Sequence, residues 1–221
     1  KVVSLYGESI RTQVREVCTL FGVQHASITI VDQGALPFAL GARLEAAIRR
    51  AMPAGTQPPA LLEKPESQRI SKKDRLRRTR LYLPGNEPKF FINAGLHLAD
   101  MIILDLEDSV APSEKDAARI LVRNALRSVD FGGSEVGVRI NVGQTGLEDL
   151  REIVPQRPDV VLIPKCEDAD MVMTVDAEVR AIRKLHRSGK DIFLLPIIES
   201  ALGVEHAFPI ASSSPRVCAL A

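Results

Sequence analysis

The chain has 221 residues, 45% hydrophobic and 26% charged, the values of an ordinary globular protein, which exclude wholesale disorder. Lys and Arg total 29 against 28 Asp and Glu, a formal net charge of +1, so the clustered excess cation of a nucleic-acid or anionic-membrane binder is missing. No apolar run approaches the ~20 residues of a membrane helix, Lys1-Val2-Val3-Ser4 lacks a signal-peptide core, and with no Trp and two Tyr the core has to be aliphatic.

In chain order, Ile10, Val14, Val17 and Phe21 recur at helical spacing, with Gly22 placed to stop the helix. Ser27-Ile28-Thr29-Ile30-Val31 alternates as a strand does, followed by the turn Asp32-Gln33-Gly34. Leu36, Leu40, Leu44 and Ile48 mark a second helix. Helix–strand–helix in about 50 residues buries too little surface to be robust alone, so residues 1–52 read as a partial α+β region. Pro53, Gly55, Pro58, Pro59 and Pro65, with Glu63-Lys64 and Ser71-Lys72-Lys73, make 53–75 a semi-rigid linker. The basic run Lys72 to Arg80 reads as its solvated end, with phosphate binding the less frequent alternative.

From residue 76 to 221, short aliphatic runs alternate with amphipathic segments. The predicted strands are Arg80–Leu83, Met101–Leu106, Val136–Ile140, Val160–Pro164, Ile192–Ile198 and Val217–Ala221. Their apolar runs lack polar alternation, as in parallel strands covered on both faces. Ser113 is placed to cap a helix, with Asp116 answering three residues on. Val172, Val175, Val179, Ile182 and Leu185 form one stripe of another helix. The class is α/β, a βα repeat compatible with a barrel or with a doubly wound sheet.

The polar residues gather at the strands' C-terminal ends: Pro84-Gly85-Asn86, Asp105-Leu106-Glu107-Asp108, Arg139-Ile140-Asn141, Lys165-Cys166-Glu167 and Glu199-Ser200. In a βα barrel all these ends meet at one mouth. Glu199 follows a very apolar strand, where a lone carboxylate is costly, so it reads as a metal ligand or as a helix-cap carboxylate. Asp105 and Glu107 share one side of their strand, which suits a metal's outer shell or an ion pair with Lys165 or Arg139. Arg139, between Val138 and Ile140, suits a bidentate grip on a substrate carboxylate or a structural salt bridge. Lys165 lies among acids that hold it protonated, against a Schiff base. The four histidines form no motif and read as surface or capping residues. Cys18, Cys166 and Cys218 are too scattered for zinc and read as reduced thiols. No Gly-rich phosphate loop occurs.

These runs resemble a known family. Arg77-Arg78-Thr79-Arg80-Leu81-Tyr82-Leu83-Pro84-Gly85-Asn86, Ile103-Leu104-Asp105-Leu106-Glu107-Asp108-Ser109-Val110, Val138-Arg139-Ile140-Asn141, Leu162-Ile163-Pro164-Lys165 and Ile198-Glu199-Ser200-Ala201-Leu202-Gly203 are similar to the citrate lyase beta subunits, CoA-ester lyases of the HpcH/HpaI aldolase superfamily. Asp32-Gln33-Gly34-Ala35-Leu36 and Ala42-Arg43-Leu44-Glu45-Ala46-Ala47 resemble, over a shorter stretch, the acyl carrier (gamma) subunit.

The resemblance implies a (β/α)8 barrel over 76–221 behind a carrier-like region at 1–52. It also implies Mg²⁺-dependent cleavage of a citryl thioester, on CoA or on a phosphoribosyl-dephospho-CoA arm, to oxaloacetate and an acetyl thioester. By that resemblance Glu199 ligates the metal, Arg139 grips the substrate carboxylate, Asp105 and Glu107 act near the metal, and Arg78 contacts the thioester arm or substrate. The family's second metal-binding Asp follows strand six in Gly-Ala-Glu-Asp, past Ala221. The barrel therefore reads as truncated after strand six, and the lyase chemistry as that of a longer parent. A malyl- or methylmalyl-CoA-type lyase and a non-catalytic assembly module are the alternatives. The implied setting is cytoplasmic, in a homo-oligomer with alpha and gamma partner subunits and without nucleic acid or membrane.

Overall fold

The computed structural model describes residues 2–52 and 71–221. The chain divides into two compact units, Lys1–Lys64 and Pro65–Ala221.

In the first unit, α1 (Val2–Leu20) ends where Gly22 turns left-handed at φ +66°, as its position in the sequence predicts. Helix α2 (Pro37–Ala51) opens on a proline, whose missing N–H costs nothing in the first turn. Gln13 on α1 donates its side-chain amide to the carbonyl of Pro37 at 2.7 Å. Between the helices, Asp32 accepts from the N–H groups of Gly34 and Ala35, the expected turn. Ser27–Val31 is not a strand: it carries no ladder among the described residues, and Val31 is 87% exposed. Alternation alone makes no strand without a neighbour to take its backbone hydrogen bonds.

In the second unit, five parallel strands lie side by side in chain order: β1 (Arg80–Pro84), β2 (Met101–Asp105), β3 (Glu135–Arg139), β4 (Val160–Ile163) and β5 (Phe193–Pro196). The predicted sixth segment runs parallel beside β5, through Cys218 N–H to Leu194 O at 3.0 Å and Ile198 N–H to Ala221 O at 2.7 Å. An order without a reversal is that of a βα barrel; a doubly wound sheet would switch direction partway. The first five predicted strands are found within two residues of their predicted ends; β2 to β5 are apolar runs almost wholly buried, whereas β1 leaves Tyr82 exposed. One face packs Met101, Ile103, Val160, Leu162, Leu195 and Ile197 into a single cluster. The other buries Ile102, Leu104, Val136, Val138, Val161 and Leu194.

Helices α3 (Lys115–Ser128), α4 (Gly143–Ile153), α5 (Ala169–Leu185), α6 (Ala201–Glu205) and α7 (Ala207–Ser212) make the later connections. Helix α3 has Glu114, not Ser113, at its N-cap, because Pro112–Glu114 forms a 3-10 turn that delays the α-helix by one step. On α5, Val172, Val175, Val179 and Ile182 are buried as predicted. Leu185 is 78% exposed, since it is the last helical residue and the chain turns away through Arg187 at φ +47°.

The N-terminal ends of the strands are crossed by the described part of the basic run. Arg77 grips Glu135 through two bonds of 2.6 and 2.8 Å, and Ser71 Oγ donates to the same carboxylate. Arg75 donates to the carbonyl of Gly133 at 3.1 Å and Lys73 to that of Pro215 at 2.9 Å. Lys72, Lys73 and Arg78 of the run are exposed, as a solvated end predicts, while Arg75 and Arg77 are engaged with the N-terminal ends of the strands; residues 53–70 of the predicted linker lie outside the described residues. Cys18, Cys166 and Cys218 are free thiols.

Candidate active site

The register of the sheet creates the site. Pro84, Asp105 and Arg139 are partners across β1, β2 and β3, and Arg139 is in turn aligned with Leu162 on β4. Arg139 and Asp105 meet in a bidentate pair, Nε to Oδ1 and Nη2 to Oδ2, each 2.7 Å. Asp105 also accepts from the backbone N–H of Glu107 at 2.9 Å and of Ser109 at 3.2 Å. Burial pushes the Asp105 carboxyl up, but the bonds from Arg139 and Ser109 outweigh it and hold the group below the usual range. The bond to Asp105 raises Arg139 above its ordinary value in spite of burial. The guanidinium lies 5.3 Å from the centre of the Tyr82 ring, a cation–π contact.

Glu107 and Asp108 extend the cluster. Lys165 Nζ donates to Glu107 Oε1, and to Asp108 Oδ1 at 3.1 Å. Arg139 Nη1 stands 3.2 Å from Glu107 Oε2 and 3.3 Å from Asp108 Oδ2. Glu107 Oε2 is buried without a hydrogen bond. Glu107 first, then Asp108, raise the Lys165 ammonium above its ordinary value, so it is a fixed cation with no free amine to offer for a Schiff base. Lys165 holds this position with a left-handed backbone, φ +50°, rare for a residue with a side chain. Lys115 Nζ donates to the carbonyls of Leu106, at 2.7 Å, and Glu107, fixing the loop from behind.

The next loop is braced in the same way. Buried Asp149 on α4 accepts from Asn141 N–H and Nδ2, both at 2.8 Å, and from Arg119 Nε at 2.7 Å. A cavity of about 540 Å³ lies over Tyr82, Pro84, Asp105, Ser109 and Arg139. A second, of about 830 Å³, lies among Glu107, Lys115, Arg119, Asn141 and Lys165. Asp108 lines both.

Of the residues singled out in the sequence, the structure brings together Arg139, Asp105 and Glu107. Glu199 follows β5 at the same end of the sheet, exposed, and its charge reaches Tyr82. The helix-cap role falls instead to Ser200, whose side chain accepts from Gly203 N–H. Arg78 is not in this cluster. It precedes β1 at the other end of the sheet, where Asp100 accepts from its Nε at 3.1 Å and its Nη2 at 3.0 Å. Asp108 and Tyr82 were legible only as members of motifs, with no spacing signal to single them out. His206 Nδ1 contacts the carbonyl of Glu167 at 2.8 Å and His186 stands at the C-cap of α5, the capping use expected of such histidines.

Among the described residues, no group of three His, Cys, Asp or Glu side chains is placed to hold a metal ion. Glu199 offers oxygen ligands of the kind magnesium takes, but Asp105 is spent on Arg139 and Glu107 on Lys165. The described residues thus do not make a complete metal site.

Residues 78–221 match the family model described as HpcH/HpaI aldolase/citrate lyase. The chain belongs to this family. Residues 1–51 match a second, acyl-carrier model, malonate decarboxylase delta subunit (MdcD). Among the family's curated members, the chain is 41% identical over 151 residues to the citrate lyase subunit beta of Leuconostoc mesenteroides subsp. cremoris, covering 67% of this chain and 50% of the relative. It is also 41% identical over 151 residues to an L-malyl-CoA/beta-methylmalyl-CoA lyase of Rhodobacter capsulatus, covering 66% of this chain and 48% of that protein. A solved family structure, the protein CitE of Mycobacterium tuberculosis in complex with magnesium and acetoacetate, superposes with a TM-score of 0.50 at 28% identity, covering 66% of this chain and 54% of that one. The chain spans about half the length of the curated relatives it matches.

Proposed function

We propose that this chain carries the substrate-binding half of a carbon–carbon lyase that cleaves a citryl thioester, on CoA or on an acyl carrier, to oxaloacetate and an acetyl thioester. The observation that carries the reading is Arg139, a permanent cation fixed by Asp105 in the wall of the cavity of about 540 Å³ at the C-terminal end of a parallel βα sheet. In the reaction a base removes the proton of the tertiary hydroxyl. The carbon–carbon bond breaks as the ketone forms, and its electron pair becomes the thioester enolate, which takes a proton to give the acetyl thioester. Arg139 holds the carboxylate next to the forming ketone. Asp105 acts through Arg139 as a positioning residue, and Glu107 presents Oε2 toward the same guanidinium, placed to orient water or substrate.

Magnesium is present in the solved CitE complex; bound here, it would supply Lewis-acid stabilisation of developing negative charge. Glu199 would contribute one ligand. Arg78, paired with Asp100 before β1, can serve a thioester arm only from the far end of the sheet. The MdcD-type match over residues 1–51 supports a carrier-linked thioester over free CoA. A homo-oligomer working with alpha and gamma subunits in the cytoplasm completes the reading. No helix among the described residues is long and apolar enough to cross a membrane.

The test is oxaloacetate release from citryl-CoA by the purified chain, alone and together with carrier and transferase subunits, with and without magnesium. Metal-dependent release that falls with Glu199→Gln and Arg139→Ala supports the reading. Release unchanged in both variants overturns the site, and no release in any combination leaves a non-catalytic assembly module as the function. The 41% identity to a malyl-CoA/methylmalyl-CoA lyase favours a second reading, in which glyoxylate is released from malyl-CoA; running both substrates side by side separates the two.

A further inference from the structure

Arg139 has three carboxylate neighbours, and they differ in how firmly they are held. Asp105 has two bonds from Arg139 and two from backbone N–H groups, and its side chain is 3% exposed. Glu107 is buried and tied to Lys165. Asp108 is 60% exposed, and its contacts, 3.3 Å to Arg139 Nη1 and 3.1 Å to Lys165, are longer than the 2.7 Å bonds that hold Asp105. The Nε–Nη2 fork of Arg139 faces Asp105, so a carboxylate entering from the cavity cannot take it. The accessible donor is Nη1, which the exposed Asp108 shares with the buried Glu107 Oε2.

From this we infer that Asp108 is a placeholder: its carboxylate occupies Nη1 of Arg139 in the way a ligand carboxylate would, and binding of an oxo-acid displaces it. The inference rests on the reading of Arg139 as the carboxylate-binding cation. Electrostatics favour the exchange. Asp105, Glu107 and Asp108 surround Arg139 and Lys165, with Lys115 behind the loop bound to backbone carbonyls, so a further carboxylate at Nη1 meets like charge at close range unless one leaves. Only Asp108 can leave cheaply, because water solvates its head as soon as it swings out, whereas Asp105 would abandon four donors. Lys165 keeps Glu107 neutralised during the exchange. Asp108 thereby selects for ligands whose carboxylate outcompetes its own, and a neutral analogue gains nothing from displacing it.

The test is calorimetric titration of oxaloacetate into the purified chain with magnesium present. An exposed ion pair is worth up to about 1 kcal/mol, so Asp108→Ala is expected to bind oxaloacetate about fivefold more tightly than wild type. Arg139→Ala is expected to abolish binding, and Glu167→Gln, which removes one negative charge from the same end of the sheet, to leave the affinity unchanged. Equal or weaker binding by Asp108→Ala, with Arg139→Ala still inactive in binding, overturns the placeholder alone. Equal tightening by Glu167→Gln also overturns it, reducing the effect to net charge. Wild-type binding by Arg139→Ala, or no binding by wild type and Asp108→Ala alike, overturns the carboxylate-binding reading together with it.

Discussion

Asp105 and Arg139 are register partners on neighbouring parallel strands, and their side chains close a two-bond fork of 2.7 Å each way at the C-terminal end of the sheet. The fork is both an element of stability and the means by which a long, flexible cation is held in one orientation. Removing one partner of a buried pair leaves the other charged, desolvated and alone.

Asp105→Ala is therefore expected to cost about 3 kcal/mol, the lower end of the range for breaking a buried pair. Urea unfolding of the purified chain measures it. A loss below about 1 kcal/mol would place Arg139 in solvent, as for a surface pair.

The base of the sheet holds a second such fork, Arg77 with Glu135, both side chains almost wholly buried. Arg77→Lys keeps the charge but cannot make two parallel bonds, so it should destabilise the chain measurably and less than Arg77→Ala, at about 3 kcal/mol. Equal midpoints for wild type and Arg77→Lys in urea would show that the geometry of the fork is immaterial.

Asp100 is held at about 2 by the Arg78 hydrogen bonds first, against a reference of 3.8. A folded-state value below the unfolded one means stabilisation that is complete above the unfolded value and is lost as the pH falls through about 2. A carboxyl-detected NMR titration should find the Asp100 midpoint near 2, and Arg78→Ala should raise it toward 3.8. A midpoint that does not respond to Arg78→Ala would assign the shift to the bonds that remain, from the backbone N–H of residue 78 and from Thr79.

Burial pushes the Cys166 thiol up to about 11, and the residue is inaccessible. The thiolate is the reactive species, so at pH 7.5 maleimide should label Cys166 only after denaturation, while the partly exposed Cys18 reacts in the folded chain. Peptide mass spectrometry resolves the sites. Rapid labelling of Cys166 without denaturant would show the β4–α5 loop opening.

A Cβ on Gly85 would lie 2.5 Å from the backbone carbonyl of Asp105, the same oxygen that accepts the Gly85 N–H at 2.8 Å. Gly85→Ala must push β1 away from β2 at the site, an overpacking expected to cost about 1–3 kcal/mol. A neutral result by urea unfolding would mean that the β1–β2 ends already breathe.

The strands were legible because a parallel strand buried on both faces has to be a continuous apolar run, and runs such as Met101–Leu106 and Val160–Pro164 have few other uses. The family motifs at their ends were legible for the same reason, being anchored to those runs. Ser27–Val31 was not, since its alternation is equally compatible with a pairing that no described neighbour supplies. The anchoring of Arg75 and Arg77 within the basic run was not legible because their partners, Gly133 and Glu135, lie far along the chain.

What the sequence by itself determined is the βα order, the end of the sheet at which polar and charged residues gather, and the identity of those residues. Composition and periodicity are local properties, and these conclusions need nothing more. Only the tertiary structure decided which charge meets which. Arg139 takes Asp105 by register across two strands, Lys165 takes Glu107 through a left-handed turn, and Asp108 is left on the exposed side of the guanidinium. Pairing among three acids and two bases depends on ångström distances between strands, which no spacing along the chain encodes.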